Sequence, residues 1–172
     1  NVEIKLPGGE FKCILPVPGK HNVMNALAAT AAVTALGLSV DQIKTGLESF
    51  KSVKGRLQTS TGFNDSVVID DTYNANPTSL SAAIDVLSSC GGERVLVLGD
   101  MGELGKDAQA LHSRIVEYAI QKGIQQIFTL GEFTAVAIES HPDNGKSFDS
   151  AEQLIKALKL MLDKNTTVLV KG

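Results

Sequence analysis

The segment Val67-Val68-Ile69-Asp70-Asp71-Thr72-Tyr73-Asn74-Ala75-Asn76-Pro77 decides the fold. Its first three residues are β-branched and apolar, the composition of a buried strand. Two carboxylates, a tyrosine and two asparagines follow, and Pro77 then opens a helical spacing of apolar residues at Leu80, Ala83, Ile84 and Leu87. A strand that hands polar groups to a strand-to-helix loop is where open α/β sheets bind ligands. Core packing alone does not account for such a crowd of polar and amphipathic side chains at one strand end.

Working outward, the same rhythm repeats. A helix over about 77–89 leads to a strand at 94–98, and a helix over about 107–122 leads to a strand at 126–130. A helix at 132–139 precedes a short strand near 146–148, and a helix at 150–163 precedes a strand at 167–170. Upstream, Leu57 to Phe63 reads as a strand joined to Val67–Asp70 by a turn at Asn64-Asp65. Strand alternating with helix predicts an α/β fold: a mainly parallel sheet with helices on both faces. Before residue 55 the rhythm differs. Residues 1 to 17 alternate loosely around Pro7-Gly8-Gly9, as in a β-hairpin, and Pro18-Gly19-Lys20 breaks that pattern. An Ala-rich helix runs from Asn22 to about Leu36 and stops at Gly37; Ser39 caps a second helix reaching about Phe50. Lys51 to Gly55 is polar and reads as a linker.

Composition narrows the function. The 172 residues suit one domain, or one domain plus a piece of another, and 43% hydrophobic residues can bury a sizeable core. A net charge of -3 without any Lys/Arg cluster excludes a basic nucleic-acid footprint. Cys13 and Cys90 form no CxxC pair and read as reduced thiols. No apolar run reaches membrane-spanning length and no signal peptide opens the chain. A cytoplasmic protein without membrane insertion is expected. The chain begins at Asn1 and ends at Gly172 directly after a core-strand pattern, so it reads as an excised piece of something longer.

Candidate site residues fall into four groups. Asp71, Tyr73, Asn74 and Asn76 suit a nucleoside: a carboxylate for ribose hydroxyls, a flat ring for a base, amides for an adenine edge. The competing reading is a tight turn whose Asp and Asn side chains satisfy their own backbone. Asn22 and Asn25, three apart after His21, share one face of the Ala-rich helix, unless Asn22 simply caps it. Leu98-Gly99-Asp100-Met101-Gly102-Glu103-Leu104-Gly105 has glycines at GxxGxxG spacing, which is no dinucleotide fingerprint. There Asp100 and Glu103 would repel phosphate and suit an amine or a metal-bound ligand, or else the loop is only solvated. Arg56, next to Gly55 at the hinge, is placed to reach a phosphate. His112 and His141 lack ligand-spaced partners and read as surface or helix residues, and no metal site is expected. The P-loop pattern GxxxxGK[ST] is missing too: Ile14 stands where Gly19-Lys20 would need a glycine upstream.

In order, Gly19-Lys20-His21-Asn22-Val23-Met24-Asn25-Ala26-Leu27-Ala28-Ala29, Gly55-Arg56-Leu57, the 70–77 string and the 98–105 string closely resemble the Mur ligase family. Leu169-Val170-Lys171-Gly172 resembles the start of that family's last segment. The resemblance implies that residues 1–54 end a central ATP-binding domain and that 55–172 form most of a Rossmann-like C-terminal domain. It implies ATP-dependent amide formation through an acyl phosphate in peptidoglycan precursor synthesis. The 70–77 and 98–105 strings point to the member that joins D-Ala-D-Ala to UDP-N-acetylmuramoyl-tripeptide. ATP and magnesium are the implied cofactors, with P-loop and magnesium ligands outside this chain, so the chain alone is expected to be inactive.

By position, the resemblance gives Asn22 and Asn25 to adenine, Asp71 to ribose, and Tyr73, Asn74 and Asn76 to the nucleoside. Arg56 would be the catalytic contact to the γ-phosphate, and Asp100 and Glu103 would lie near the amino substrate. Another Mur ligase or a folylpolyglutamate-synthase-like ligase remains an alternative, as does a non-catalytic nucleotide-binding or interaction module. The first helix would expose Met24, Leu27, Ala31 and Val33, a face able to drive self-association.

Overall fold

The computed structural model describes every residue from Asn1 to Gly172. Two compact units result, Asn1–Val53 and Lys54–Gly172. In the first, β1 (Val2–Leu6) and β2 (Gly9–Cys13) form the expected antiparallel hairpin. Helices α1 (Lys20–Ala35) and α2 (Val40–Glu48) follow, the second held by a Ser39–Gln42 capping box. Ile4, Phe11, Cys13 and Ile43 make the small core of this unit. Met24, Leu27 and Ala31 are exposed as expected. Val33 is not: it packs against that core with Val40 and Leu47.

The second unit holds a six-stranded sheet in the order β3-β4-β8-β5-β6-β7. The strands are β3 (Gln58–Thr61), β4 (Val67–Asp70), β5 (Glu93–Gly99), β6 (Gln126–Leu130), β7 (Gly145–Ser147) and β8 (Thr166–Lys171). Between them lie α3 (Pro77–Ser88), α4 (Ala108–Gln121), α5 (Glu132–Glu139) and α6 (Ala151–Lys159). Only β3 runs antiparallel, joined to β4 through Asn64 and Asp65 at φ 54° and 61°, conformations that Asn and Asp tolerate in tight turns.

Alternation along the strands builds two cores. Leu96 and Leu98 of β5, with Ile69, Ile127 and Leu169, pack against α3, α4 and α5. Val95 and Val97 face the other way and meet Phe128, Val168 and Leu154 of α6. Helices therefore cover both faces, three on one and one on the other.

The winding places the site. The chain passes from β4 through α3 to β5 and leaves one strand position open between them. β8 fills it last, pairing parallel with both neighbours and arriving through α6 on the opposite face. The order reverses there, and the crevice at such a reversal is the binding place of open α/β sheets. At its floor the backbones nearly touch: a Cβ on Gly172 would lie 2.4 Å from Gly99 Cα.

Some boundaries differ from expectation. Leu57 does not start β3; it is buried at φ 49°, ahead of the strand. The stretch expected to open one helix at 107 begins with a 3-10 turn over Gly105–Asp107.

Candidate nucleotide-binding site

Register fixes the centre of the site. Asp70 pairs with Val170, and the ladder continues when Asp71 N–H donates to Val170 O at 3.0 Å. Lys171 thereby stands beside the loop that follows β4. Its side chain is 3% exposed, and its ammonium donates to Asp71 Oδ2 at 2.6 Å, Asn74 O at 2.9 Å and Asp71 O at 3.4 Å. An ammonium carries three N–H donors, and each finds an acceptor.

Asp71 works in two directions. While Oδ2 meets Lys171, Oδ1 accepts the backbone N–H of Leu57 at 3.1 Å. Tyr73 N–H donates to Gly55 O at 3.0 Å, so both neighbours of Arg56 are tied to the loop. Gly55 needs to be glycine here: its φ is 73°, and a Cβ would press on Tyr73 N at 3.0 Å. The Arg56 guanidinium lies 4.2 Å from the centroid of the Tyr73 ring, and the ring is 66% exposed.

The rest of the loop divides between turn chemistry and open polar groups. Asp70 Oδ1 accepts from Thr72 N–H and the Thr72 hydroxyl. Asn76 caps α3, its Oδ1 accepting Ser79 N–H at 2.8 Å while Ser79 Oγ accepts Asn76 N–H at 3.1 Å. Backbone self-satisfaction thus describes Asp70 and Asn76. The Tyr73 and Asn74 side chains remain exposed.

The loop after β5 is built around its own contacts. Asp100 Oδ1 accepts Thr134 N–H at 2.9 Å and Oδ2 accepts Phe133 N–H at 3.2 Å, so this carboxylate holds the first turn of α5. Burial alone would raise its carboxyl, but the hydrogen bonds from Thr134 and Phe133 outweigh that and hold it below the ordinary carboxylate range.

His112 is a helix residue, on α4, but not a surface one: it is fully buried. Its Nε2 accepts Met101 N–H at 2.7 Å, which leaves Nδ1 as the protonated nitrogen donating to Ala108 O at 2.7 Å. The ring also stacks on Phe133. Glu103 is exposed, with φ 60°.

In the first unit, Gly19 occupies the N-cap position of α1 and no side chain caps it. Asn22 is therefore not the cap. Its Nδ2 donates backward to Pro18 O at 2.6 Å, and Asn25 Nδ2 donates to Asn22 Oδ1 at 3.5 Å. The structure brings together Arg56, Asp71, Tyr73, Asn74 and Asn76 within the second unit, and pairs Asn22 with Asn25 within the first. Lys171 escaped the sequence reading. It stood only within the Leu169–Gly172 string and was given no role; its other signal was a lone cation closing the strand-like run Thr167-Val168-Leu169-Val170.

Residues 55–172 match the model of the Mur ligase glutamate ligase domain. The chain belongs to the Mur ligase family. This Mur ligase chain is 40% identical over 171 residues to the UDP-N-acetylmuramoyl-tripeptide–D-alanyl-D-alanine ligase of Escherichia coli, covering 98% of the chain and 38% of that relative. It thus spans well under half the length of its curated relative. A crystal structure of MurF from Acinetobacter baumannii superposes with a TM-score of 0.89 at 36% identity, over 99% of this chain and 38% of that one. MurF from Thermotoga maritima in complex with ADP shares the fold, with a TM-score of 0.84 at 24% identity, over 100% of this chain and 42% of that one.

Proposed function

We propose that the chain is the rear portion of a ligase that adds D-Ala-D-Ala to UDP-N-acetylmuramoyl-tripeptide with ATP, in peptidoglycan precursor synthesis in the cytoplasm. Residues 1–54 close a central ATP-binding domain and residues 55–172 supply the C-terminal domain. The observation that carries this reading is the Arg56–Asp71–Tyr73 cluster at the reversal point of the sheet, in a chain 40% identical to a ligase of that name.

The residues present fit the adenosine part of ATP. The exposed Tyr73 ring offers a stacking face, and Asn74 offers amide donors and an acceptor. Each Asp71 oxygen has spent one lone pair inside the protein, so one on each remains for a ribose hydroxyl. Asn76 uses its oxygen as a cap and keeps its NH₂ for the base. In the same reading Asn22 and Asn25 serve adenine, and Asp100 and Glu103 serve the amino substrate. Arg56, a planar donor, contacts the γ-phosphate and spreads the charge that develops there. When bound, ATP would supply the γ-phosphoryl group that turns the substrate carboxylate into an acyl phosphate, with ADP leaving. No three His, Cys, Asp or Glu side chains are grouped to hold a metal ion; the magnesium of this reading would be held by residues outside this chain. Self-association through Met24 and Leu27, 64% and 38% exposed, belongs to the same reading, for the chain alone.

Phosphate release by the complete ligase tests the reading. Release should require ATP, the UDP-linked tripeptide and D-Ala-D-Ala together. Release that proceeds with a single amino acid in place of the dipeptide would identify a sister ligase instead.

A further inference from the structure

Lys171 is the one buried lysine at the site, and the reaction chemistry just described makes no use of it. Three observations give it work. Its ammonium spends all three donors on the 71–74 loop, which fixes the Asp71 carboxylate from one side. The opposite oxygen of that carboxylate holds Leu57 N–H. Leu57 itself sits at φ 49°, a conformation that a branched side chain keeps only when its surroundings impose it. Arg56 lies between this strained residue and Gly55, whose carbonyl is held by Tyr73 N–H. The path from ammonium to guanidinium is short and contiguous.

We propose that Lys171 is a positioning residue: acting through Asp71 and Leu57, it sets the backbone from which Arg56 projects. Asp71 therefore answers to two demands, the nucleoside and the hinge. The inference rests on the proposed ligase activity for its kinetic consequence, but its structural content stands apart from that activity.

Two measurements test it. In the 172-residue chain, Lys171→Met should speed hydrogen exchange at the Leu57 and Tyr73 amides about tenfold or more relative to the core amides of Leu96 and Leu98. Unchanged protection at Leu57 overturns the proposal. If the methionine variant does not fold, Lys171→Gln replaces it: its side chain is one atom shorter and uncharged, so the ion pair with Asp71 is lost, and the same criterion applies. In the complete ligase, Lys171→Met should lower kcat about 10- to 100-fold, the usual effect of a small misplacement of a catalytic group. Arg56→Lys should add little further loss in that background, because both changes act on one guanidinium. Fully multiplicative losses overturn the proposal, as does a kcat per folded enzyme that stays at the wild-type level. If the wild-type ligase releases no phosphate with its substrates, the proposed function falls, and the amide-exchange result alone decides the role of Lys171.

Discussion

At Asp71 a single carboxylate joins two backbone segments and neutralises a buried cation. Asp71→Ala would leave the Lys171 ammonium, 3% exposed, without its counter-charge. Breaking a buried pair from one side costs about 3–5 kcal/mol, so urea denaturation of the 172-residue chain should show a loss of that order. A loss below about 1 kcal/mol, the range of surface pairs, would mean that the pair is solvated in solution. Arg56 is tested in the complete ligase. Arg56→Lys should lower kcat more than it raises KM for ATP, since a planar, stacked donor to a transferring phosphoryl group is replaced by a point charge. Steady-state kinetics indistinguishable from wild type would reduce Arg56 to a partner for the Tyr73 ring. Both residues were legible in the sequence because they stand where patterns change, Asp71 at a strand end and Arg56 at the hinge. Lys171 was not legible. Its partner lies 100 residues away, and no local spacing reports a contact made by inserting one strand between two others.

The elements were read well where hydrophobic period is strong, and less well where a polar residue decides the boundary. Leu57 looked like strand because it is apolar, but the bond from its N–H to Asp71 draws it into a left-handed turn. His112 read as a surface or helix residue because no ligand-spaced partner stands near it in sequence; it is on a helix, and two backbone partners satisfy both its nitrogens and permit full burial. Asn76 carries a test at this scale. Asn76→Ala should cost about 1 kcal/mol by loss of the cap of α3, whereas Asn76→Asp keeps a capping oxygen and should leave stability nearly unchanged. If the Asn76 amide also serves the base, Asn76→Asp will raise KM for ATP in the complete ligase without destabilising it. An unchanged KM confines Asn76 to capping.

Asp100 adds a pH dependence. Its carboxyl lies below the ordinary range in the folded chain, so its stabilising bonds are fully present above the unfolded value of about 3.9 and fade as pH falls through the lower folded value. The difference in urea midpoint between wild type and Asp100→Asn should therefore be constant near neutrality and shrink below about pH 4. A difference that grows on acidification would show that the carboxyl is raised instead.

For the whole molecule, the 172-residue chain by itself is expected to show no phosphate release from ATP. A glycine-rich cradle with a P-loop lysine is needed to hold a triphosphate, and GxxxxGK[ST] does not occur in this sequence. Calorimetric titration should find ATP binding on the order of millimolar or weaker, because ordering the loops offsets much of the contact energy; micromolar affinity would point to a triphosphate site of another kind. The alternation of strand and helix made the parallel sheet legible, but not the strand order. Strands adjacent in sequence are the default neighbours, and here β4 and β5 are kept apart by β8, which follows both in sequence. That order has a consequence during synthesis. Until residues 166–171 have left the ribosome, β4 and β5 have no common neighbour, and each offers an open edge to any passing strand. The nascent chain can gather α3, α4 and α5 onto β5 and β6, but the sheet closes, and Asp71 meets its cation, in one late step.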